Sequence, residues 1–419
     1  MLNTHELAVT EAQRAILVCV DVGEFDAESS INELAELAAT AGAQVVAQVI
    51  QRRGEYDAAT LAGQGKLEEI RALADGDGDV LLIFDHELSA VQLRNIGDAT
   101  GLAVIDRTML ILDIFAGRAI TAEGKLQVEL AQLRYRLPRL IGAGQALSRL
   151  GGGIGTRGPG ETKLETDRRH IRRRISILEE RLRELEKRRG LLRSRRKKDN
   201  RLTAAIVGYT NAGKSTLLNA LTGAEVMSED MLFATLDPTS RGMELPDGRT
   251  LILVDTVGFI RRLPHHLVEA FKSTLEEAAS ADLILNVCDA SSPELEEHIE
   301  VSEKLLEELG AAETPRITVL NKCDRTFELP HLTGSRTVIG ISAKTGEGLE
   351  ELINGMLKAL SSSQTRMMVK LPYGKEGLLA LVRREGRVLS EEYVHDGVVA
   401  DVLADVKVAW KLLEYKYVK

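Results

Sequence analysis

One segment narrows the fold more than any other: Gly208-Tyr-Thr-Asn-Ala-Gly-Lys-Ser215, set between an apolar run, Thr203–Val207, and a helix-forming run, Ser215–Leu221. A strand that turns through glycines into a helix N-terminus makes a phosphate cradle. The glycines let backbone N–H groups close on the anion, and the helix dipole adds positive potential there. The spacing assigns Lys214 to the β- and γ-phosphates and the Ser215 hydroxyl to Mg2+. Gly208, Tyr209, Thr210, Asn211, Ala212 and Gly213 complete the loop, and Thr216 joins them from the helix. A chance glycine turn is the competing reading, and eight matching residues in the right context weigh against it.

Three more segments come after it in order, each at the end of an apolar run. Asp255-Thr-Val-Gly258 ends Leu251–Val254. A carboxylate there holds Mg2+ through water, and the Gly258 N–H meets the γ-phosphate. Asn321-Lys-Cys-Asp324 follows Ile317–Leu320. Guanine presents two donors on one edge, N1–H and the N2 amine, and one carboxylate accepts both, so Asp324 is the expected base selector. The Lys322 stem can cover the ring. Ser342-Ala-Lys344 follows Thr337–Ile341, and the Ala343 N–H can donate to guanine O6. Read alone, each is a strand-end turn; four in this order point to a GTP/GDP site.

The rest of the chain sets this site in context. With 419 residues, two to four domains are expected. No basic n-region leads an apolar core, and no apolar run reaches the 18 or so residues of a membrane span. Cys19, Cys288 and Cys323 are scattered and odd in number, which argues against a disulfide framework and for the cytoplasm. The net charge of −9 conceals an asymmetry: from Gln132 to Asp199 the chain carries a net +13, leaving −22 elsewhere. From Gln132 to Gly160 there are five arginines and no acid, which points to a polyanion rather than a merely solvated face.

The expected architecture is a multidomain α/β protein. Residues 1–105 read as an N-terminal α/β domain, with strands at Ala15–Val20, Ala43–Val49, Val80–Phe84 and Leu102–Ile105 and helices at Ile31–Thr40 and Lys66–Asp75. Residues 106–199 read as an antiparallel helical hairpin. One seam runs Leu126, Leu130, Leu133, Leu137, Leu140, and the other Leu164, Ile171, Ile175, Leu178, Leu182, Leu185, Leu192. Pro138 should kink or end the first helix, and eight glycines and a proline in 141–160 argue against a continuous helix there, leaving a flexible basic tip. Residues 200–360 form a P-loop domain with a mostly parallel central sheet. Residues 361–419 form a small α+β domain, with strands near Met367–Leu371 and Tyr415–Val418 and a helix near Glu376–Glu385.

The four motifs resemble the G1, G3, G4 and G5 motifs of translation-factor-related GTPases. Phe233-Ala-Thr-Leu-Asp-Pro-Thr239 fits the G2 place, with Phe233 beside the nucleotide, Thr235 the Mg2+ ligand that orders switch I, and Thr239 the alternative. Taken with Gly151-Gly-Gly-Ile-Gly-Thr-Arg-Gly-Pro-Gly-Glu-Thr-Lys-Leu-Glu165 and Asp255-Thr-Val-Gly-Phe-Ile260, the whole chain resembles HflX, a family of ribosome-associated GTPases. The resemblance implies a monomer that hydrolyses GTP, binds the large (50S) ribosomal subunit and its rRNA, and dissociates stalled or stress-inactivated ribosomes. It also implies a glycine-rich tip reaching toward the peptidyl-transferase centre.

Ras-like enzymes place a water-orienting glutamine directly after the G3 glycine; here that residue is Phe259, which has no polar group for water or simply packs the switch. Slow intrinsic hydrolysis, stimulated by a partner, is expected. Asn211 resembles the residue with which potassium-dependent GTPases hold K+. Catalytic work thus falls to Lys214, Thr235, Gly258 and Asn211, and metal binding to Ser215, Thr235 and Asp255. The candidate RNA contacts are Arg149, Arg157 and Lys163 at or beside the tip, and Arg168, Arg169, Arg172, Arg173 and Arg174 along the stem. The family is also described as binding ATP through its N-terminal domain. Gly63-Gln-Gly-Lys66 is the glycine-lysine turn there, but it lacks Walker A spacing and reads first as a loop-to-helix turn. A GTPase acting on other structured RNA, in ribosome assembly or tRNA modification, and an RNA-binding scaffold with negligible turnover are the alternatives.

Overall fold

The structure, a computed structural model, describes residues 13–74, 79–149, 159–198, 202–223, 232–233, 236, 239–262, 267, 279–326, 329–330, 332, 337–361 and 364–417. The chain divides into two compact units. The first runs to Leu182 and takes in Phe233; the second holds most of the chain beyond Leu182.

The first unit begins with strands β1 (Arg14–Asp21), β2 (Gln44–Arg52), β3 (Val80–Phe84) and β4 (Ala103–Asp106), joined through helices α1 (Ala27–Thr40), α2 (Gln64–Ala74) and α3 (Ala90–Thr100). The strands are parallel, in the order β2-β1-β3-β4. Six consecutive residues of β1 are buried, as a strand covered on both faces requires. Polar residues set where the helices start. Asp26 accepts from the N–H groups of Glu28 and Ser29, and Ser89 and Gln92 close a capping box at α3. The expected alternation of strand and helix stands.

Helices α4 (Arg107–Arg118), α5 (Ala122–Arg149) and α6 (Pro159–Lys198) come next. Of the two outcomes expected at Pro138, a kink or an end, the second does not occur, since α5 runs through it. Residues 141–149 of the expected loop continue that helix and Pro159 and Gly160 already belong to α6, while 150–158 lie outside the described residues. Interior proline costs a helix roughly 3 kcal/mol and glycine about 1. Tertiary bonds around Pro138 oppose that cost. Asp106 accepts from the Tyr135 hydroxyl, the Arg139 guanidinium (3.2 Å) and the Leu88 N–H (3.0 Å). Arg139 also donates to the Tyr135 carbonyl (3.1 Å), one residue from the carbonyl that the proline ring displaces. Leu130 and Leu178 of the two seams are buried, and Arg134–Glu179 (2.8 Å) and Arg174–Glu129 (2.6 Å) tie the helices together.

The second unit centres on β5 (Leu202–Gly208), β6 (Thr239–Glu244), β7 (Thr250–Asp255), β8 (Leu283–Asp289), β9 (Arg316–Asn321) and β10 (Thr337–Gly340). Their order is β10-β9-β8-β5-β7-β6, parallel except for β6, which runs antiparallel to β7. Helices α7 (Lys214–Thr222), α8 (Leu295–Glu308) and α9 (Leu349–Ser361) accompany the sheet. Its core includes Ile206, Leu217, Leu253, Leu285, Val319 and Leu352.

The C-terminal portion is β11 (Gln364–Leu371), α10 (Glu376–Glu385), β12 (Gly386–Val394), β13 (Gly397–Asp405) and α11 (Val406–Leu412), with the antiparallel order β11-β13-β12. The expected strand at Tyr415–Val418 is replaced by a 3-10 turn, Leu413–Tyr415, and a single bridge from Lys416 to Val369. The sheet is completed instead by the hairpin β12–β13, closed at His395-Asp396 before Gly397. Among the described residues no helix is long and apolar enough to cross a membrane.

Candidate nucleotide site

The glycine loop leaves β5 at the centre of the sheet and delivers its lysine at the first residue of α7. Gly213, the α7 N-cap, has φ +91°, and a Cβ there would stand 2.2 Å from Asn321 Nδ2. Only glycine satisfies both demands. Asn321 fills the space so saved: its amide donates to the Ala212 carbonyl (2.8 Å), and its side-chain oxygen accepts from the Ala343 N–H (2.9 Å). One side chain thereby joins the phosphate loop to both base-recognition segments.

Lys214 is buried and donates from Nζ to the Tyr209 carbonyl (2.8 Å). Burial pushes its ammonium down to about 8, against the pull of Asp255, which favours the charge. Ser215 Oγ donates to Asp255 Oδ2 at 2.7 Å, and Asp255 is fully buried at the end of β7. Gly258 lies against the loop; a Cβ there would meet Thr210 Cγ2 at 2.8 Å and Lys214 Nζ at 2.9 Å. Gly258 can therefore place its N–H beside the group that Lys214 holds.

Asp324 is exposed at the far end, where the Ser342 hydroxyl donates to its Oδ1 at 2.6 Å and holds the carboxyl below its usual range. It stays a charged acceptor at neutral pH. Lys322 has a left-handed backbone (φ 66°) and pairs with Asp289 at 2.7 Å. Burial would raise Asp289, but hydrogen bonds from Lys322 and Ser291 hold it down. Sequence reading missed Asp289, although an acid closing an apolar strand run was there to be read.

The remaining expected residues fall into three groups. The first is at the loop and the switches. Asn211 is exposed on the loop rim with φ 59°. Phe259 is buried; its N–H donates to the Gly208 carbonyl (3.0 Å), and its carbonyl accepts from the Thr210 N–H (2.8 Å). Its ring is packed in the interior. Phe233 is buried edge-on to Phe115, with 4.7 Å between ring centroids, so its side chain is used for packing within the first unit. Thr239 opens β6 opposite Asp255. Thr235 and Arg157 lie outside the described residues. The second group is the basic hairpin. Arg149 closes α5, and Lys163 lies near the start of α6. Along the stem, Arg169, Arg172 and Arg173 are exposed, Arg168 pairs with Glu165 at 3.2 Å, and Arg174 is held by Glu129. The third is Gly63–Lys66, which is the loop-to-helix turn expected. The Gly63 N–H donates to Gln51 Oε1 (2.9 Å), α2 starts at Gln64, and Lys66 pairs with Glu69 of the same helix.

Comparison with known proteins agrees with this geometry. Residues 203–322 match the family model described as 50S ribosome-binding GTPase, and 330–410 match the HflX C-terminal domain. Residues 28–116 and 118–196 match the GTP-binding GTPase N-terminal and GTP-binding GTPase Middle Region models. GTPase HflX of Caldanaerobacter subterraneus subsp. tengcongensis is 53% identical, over 96% of this chain and 94% of its own length. GTPase HflX of Lacrimispora saccharolytica is 52% identical over 92% of each chain, and that of Escherichia coli is 41% identical over 96% and 95%. With a P-loop that binds GTP and GDP and relatives matched over nearly the whole length, the chain belongs to the HflX family of GTPases.

Proposed function

We propose that this GTPase docks on the large ribosomal subunit through the α5–α6 hairpin and dissociates stalled or stress-inactivated ribosomes. The observation that carries this reading is a hairpin of net charge +13 placed directly before the GTPase sheet in an otherwise acidic chain. Exposed Arg169, Arg172 and Arg173 suit phosphate contacts along a structured RNA, which give affinity without reading sequence. Arg149, Arg157 and Lys163 would make the contacts nearest the tip.

The chemistry comes from the loop. Lys214 neutralises the β- and γ-phosphates, Gly258 donates its N–H to the γ-phosphate, and Asp324 selects guanine. Mg2+ takes few protein oxygens and completes its shell with water and phosphate, so the Ser215 hydroxyl and the Asp255 carboxylate are a fitting pair, with Thr235 as the switch I ligand. Bound there, Mg2+ would neutralise charge developing on the β–γ bridge. Because Phe259 cannot orient water, basal turnover is slow until the ribosome reorders the switches. Asn211 on the loop rim would help hold a K+ ion, whose charge would stand in for an arginine finger; equal rates in K+ and Na+ would remove that step. The deciding experiment is light scattering of intact ribosomes mixed with protein and GTP. A fall in scattering that GDP does not produce is expected; constant scattering would overturn the splitting role, leaving ribosome binding to be tested by co-sedimentation.

A further inference from the structure

The segment after Gly258 is fastened to the first turn of α8 by contacts that no nucleotide role explains. Arg261 is 8% exposed, and its guanidinium meets Glu294 at 2.8 Å and Glu297 at 2.9 Å. Its backbone N–H donates to the Tyr209 hydroxyl at 2.8 Å. The Tyr209 ring in turn stacks on His298 of α8, with centroids 3.8 Å apart and planes 14° off parallel. His298 Nε2 lies 3.5 Å from Glu294, so the same carboxylate touches both arms. Tyr209 and Phe259 also form a bridge, which sets the residue after Gly258 beside the loop. The two acids lie at the N-terminal end of α8, where the helix dipole favours them, with side chains 31% and 53% exposed.

We infer that Arg261, Glu294 and Glu297 are positioning residues for GTP hydrolysis: the acid pair on α8 holds Arg261, and Arg261 holds Gly258 against Thr210 and Lys214. None of the three touches the candidate phosphate or base groups. The lever is geometric. Gly258 has no slack on the loop side, where a single added carbon would clash, so a shift of the next residues moves its N–H away from the γ-phosphate. Misplacing a reacting group by about 1 Å can cost up to roughly a hundred-fold in rate. Guanine is held by other segments, and the phosphate loop keeps its own bonds to Phe259 and Asn321, so GDP binding should change far less than the rate.

This inference rests on GTPase chemistry and not on ribosome docking, so it is tested without ribosomes, and its failure would leave the docking proposal standing. Single-turnover GTP hydrolysis and GDP affinity are measured for Glu297→Gln, which weakens the Arg261 arm, and for Glu294→Gln/Glu297→Gln. The double variant is expected to lose about ten-fold in rate while GDP affinity stays within about two-fold. Arg261→Glu should lose as much, and adding Glu294→Lys and Glu297→Lys should restore most of it, which a general loss of structure would not allow. An unchanged rate in the double variant, a parallel loss of GDP affinity, or no rescue by the charge swap would each overturn the inference.

Discussion

At the end of β3, Asp85 is closed in by donors from its own unit: Arg107 at 2.8 Å, the Ser30 hydroxyl at 2.7 Å and the Cys19 thiol at 3.7 Å. Arg107 continues to Glu33, so the ion group lies inside the sheet domain with little of it reaching solvent. In the second unit, Asp255 ends β7 beside the Ser215 hydroxyl, and Asp324 follows β9 with its carboxylate exposed. Both units contain a wholly or mostly parallel α/β sheet with acids at strand ends. In one the acids complete the fold; in the other they are left where phosphate, Mg2+ or a base can use them. Architecture alone therefore does not mark a site, and what each strand-end acid is bonded to does.

The sharpest way to break the comparison is to remove charge from each kind of acid. Asp324→Asn puts a donor where guanine needs an acceptor, and GDP affinity should fall on the order of a thousand-fold, with xanthine nucleotide recovering much of it. Fluorescence titration of both nucleotides checks this; an unchanged preference for guanine would reassign base selection. Arg107→Ala should do the opposite kind of damage. It strands Asp85 and Glu33 in the interior, where breaking such a group costs about 3–5 kcal/mol. Hydrogen exchange should show lost protection in β1 and β3, while guanine selectivity persists. Loss of selectivity with β1 still protected would contradict the division of roles.

A smaller effect comes from Lys214. In the free protein its pKa is down to about 8, below the ordinary 10.5, so the folded state holds fewer protons than the unfolded one between those values. The contribution of this group to stability therefore rises with pH across that window. Nucleotide binding acts in the other direction. Phosphates beside the ammonium raise its pKa again, so binding takes up a proton once the pH exceeds about 8. GDP affinity should be flat near pH 6–7 and then fall, at a limiting slope of about ten-fold per pH unit. Calorimetry in buffers of different ionisation enthalpy reads the proton uptake directly. Uptake that is absent at pH 8.5 would mean that Lys214 stays charged without ligand.

Legibility divides along the same line. Strands β1, β3, β5, β7 and β9 are readable because each is a short apolar run, and the nucleotide motifs because they sit at the ends of such runs. The ion group of Arg107, Asp85 and Glu33 is not, since its members are spread over 74 residues and no spacing rule joins them. The same holds for Arg261 with Glu294 and Glu297. The path of α5 through Pro138 escapes sequence reading because the cost of the proline is local, while the bonds that oppose it come from Asp106 and Leu88. The β12–β13 hairpin was missed although Glu392-Tyr-Val394 and Val398-Val399 flank His395-Asp396-Gly397, a turn signal that could have been used.

The finest comparison lies within the hairpin. Arg172, Arg173 and Arg174 are consecutive and all exposed, yet they are not equivalent: Arg174 makes a two-pronged contact with Glu129 at 2.6 and 2.8 Å. Each arginine that neutralises a phosphate should contribute about one unit to the slope of log affinity against log salt. Arg172→Ala and Arg173→Ala should each flatten the slope for ribosome binding by about that amount. Arg174→Ala should flatten it less, because Glu129 already occupies the guanidinium, and Glu129→Gln should steepen it by freeing Arg174 for RNA. Slopes measured by co-sedimentation across a salt series decide the matter. Equal flattening at all three positions would mean that the Glu129 pair opens on the ribosome, and no flattening at any of them would take the hairpin stem out of the phosphate-binding surface.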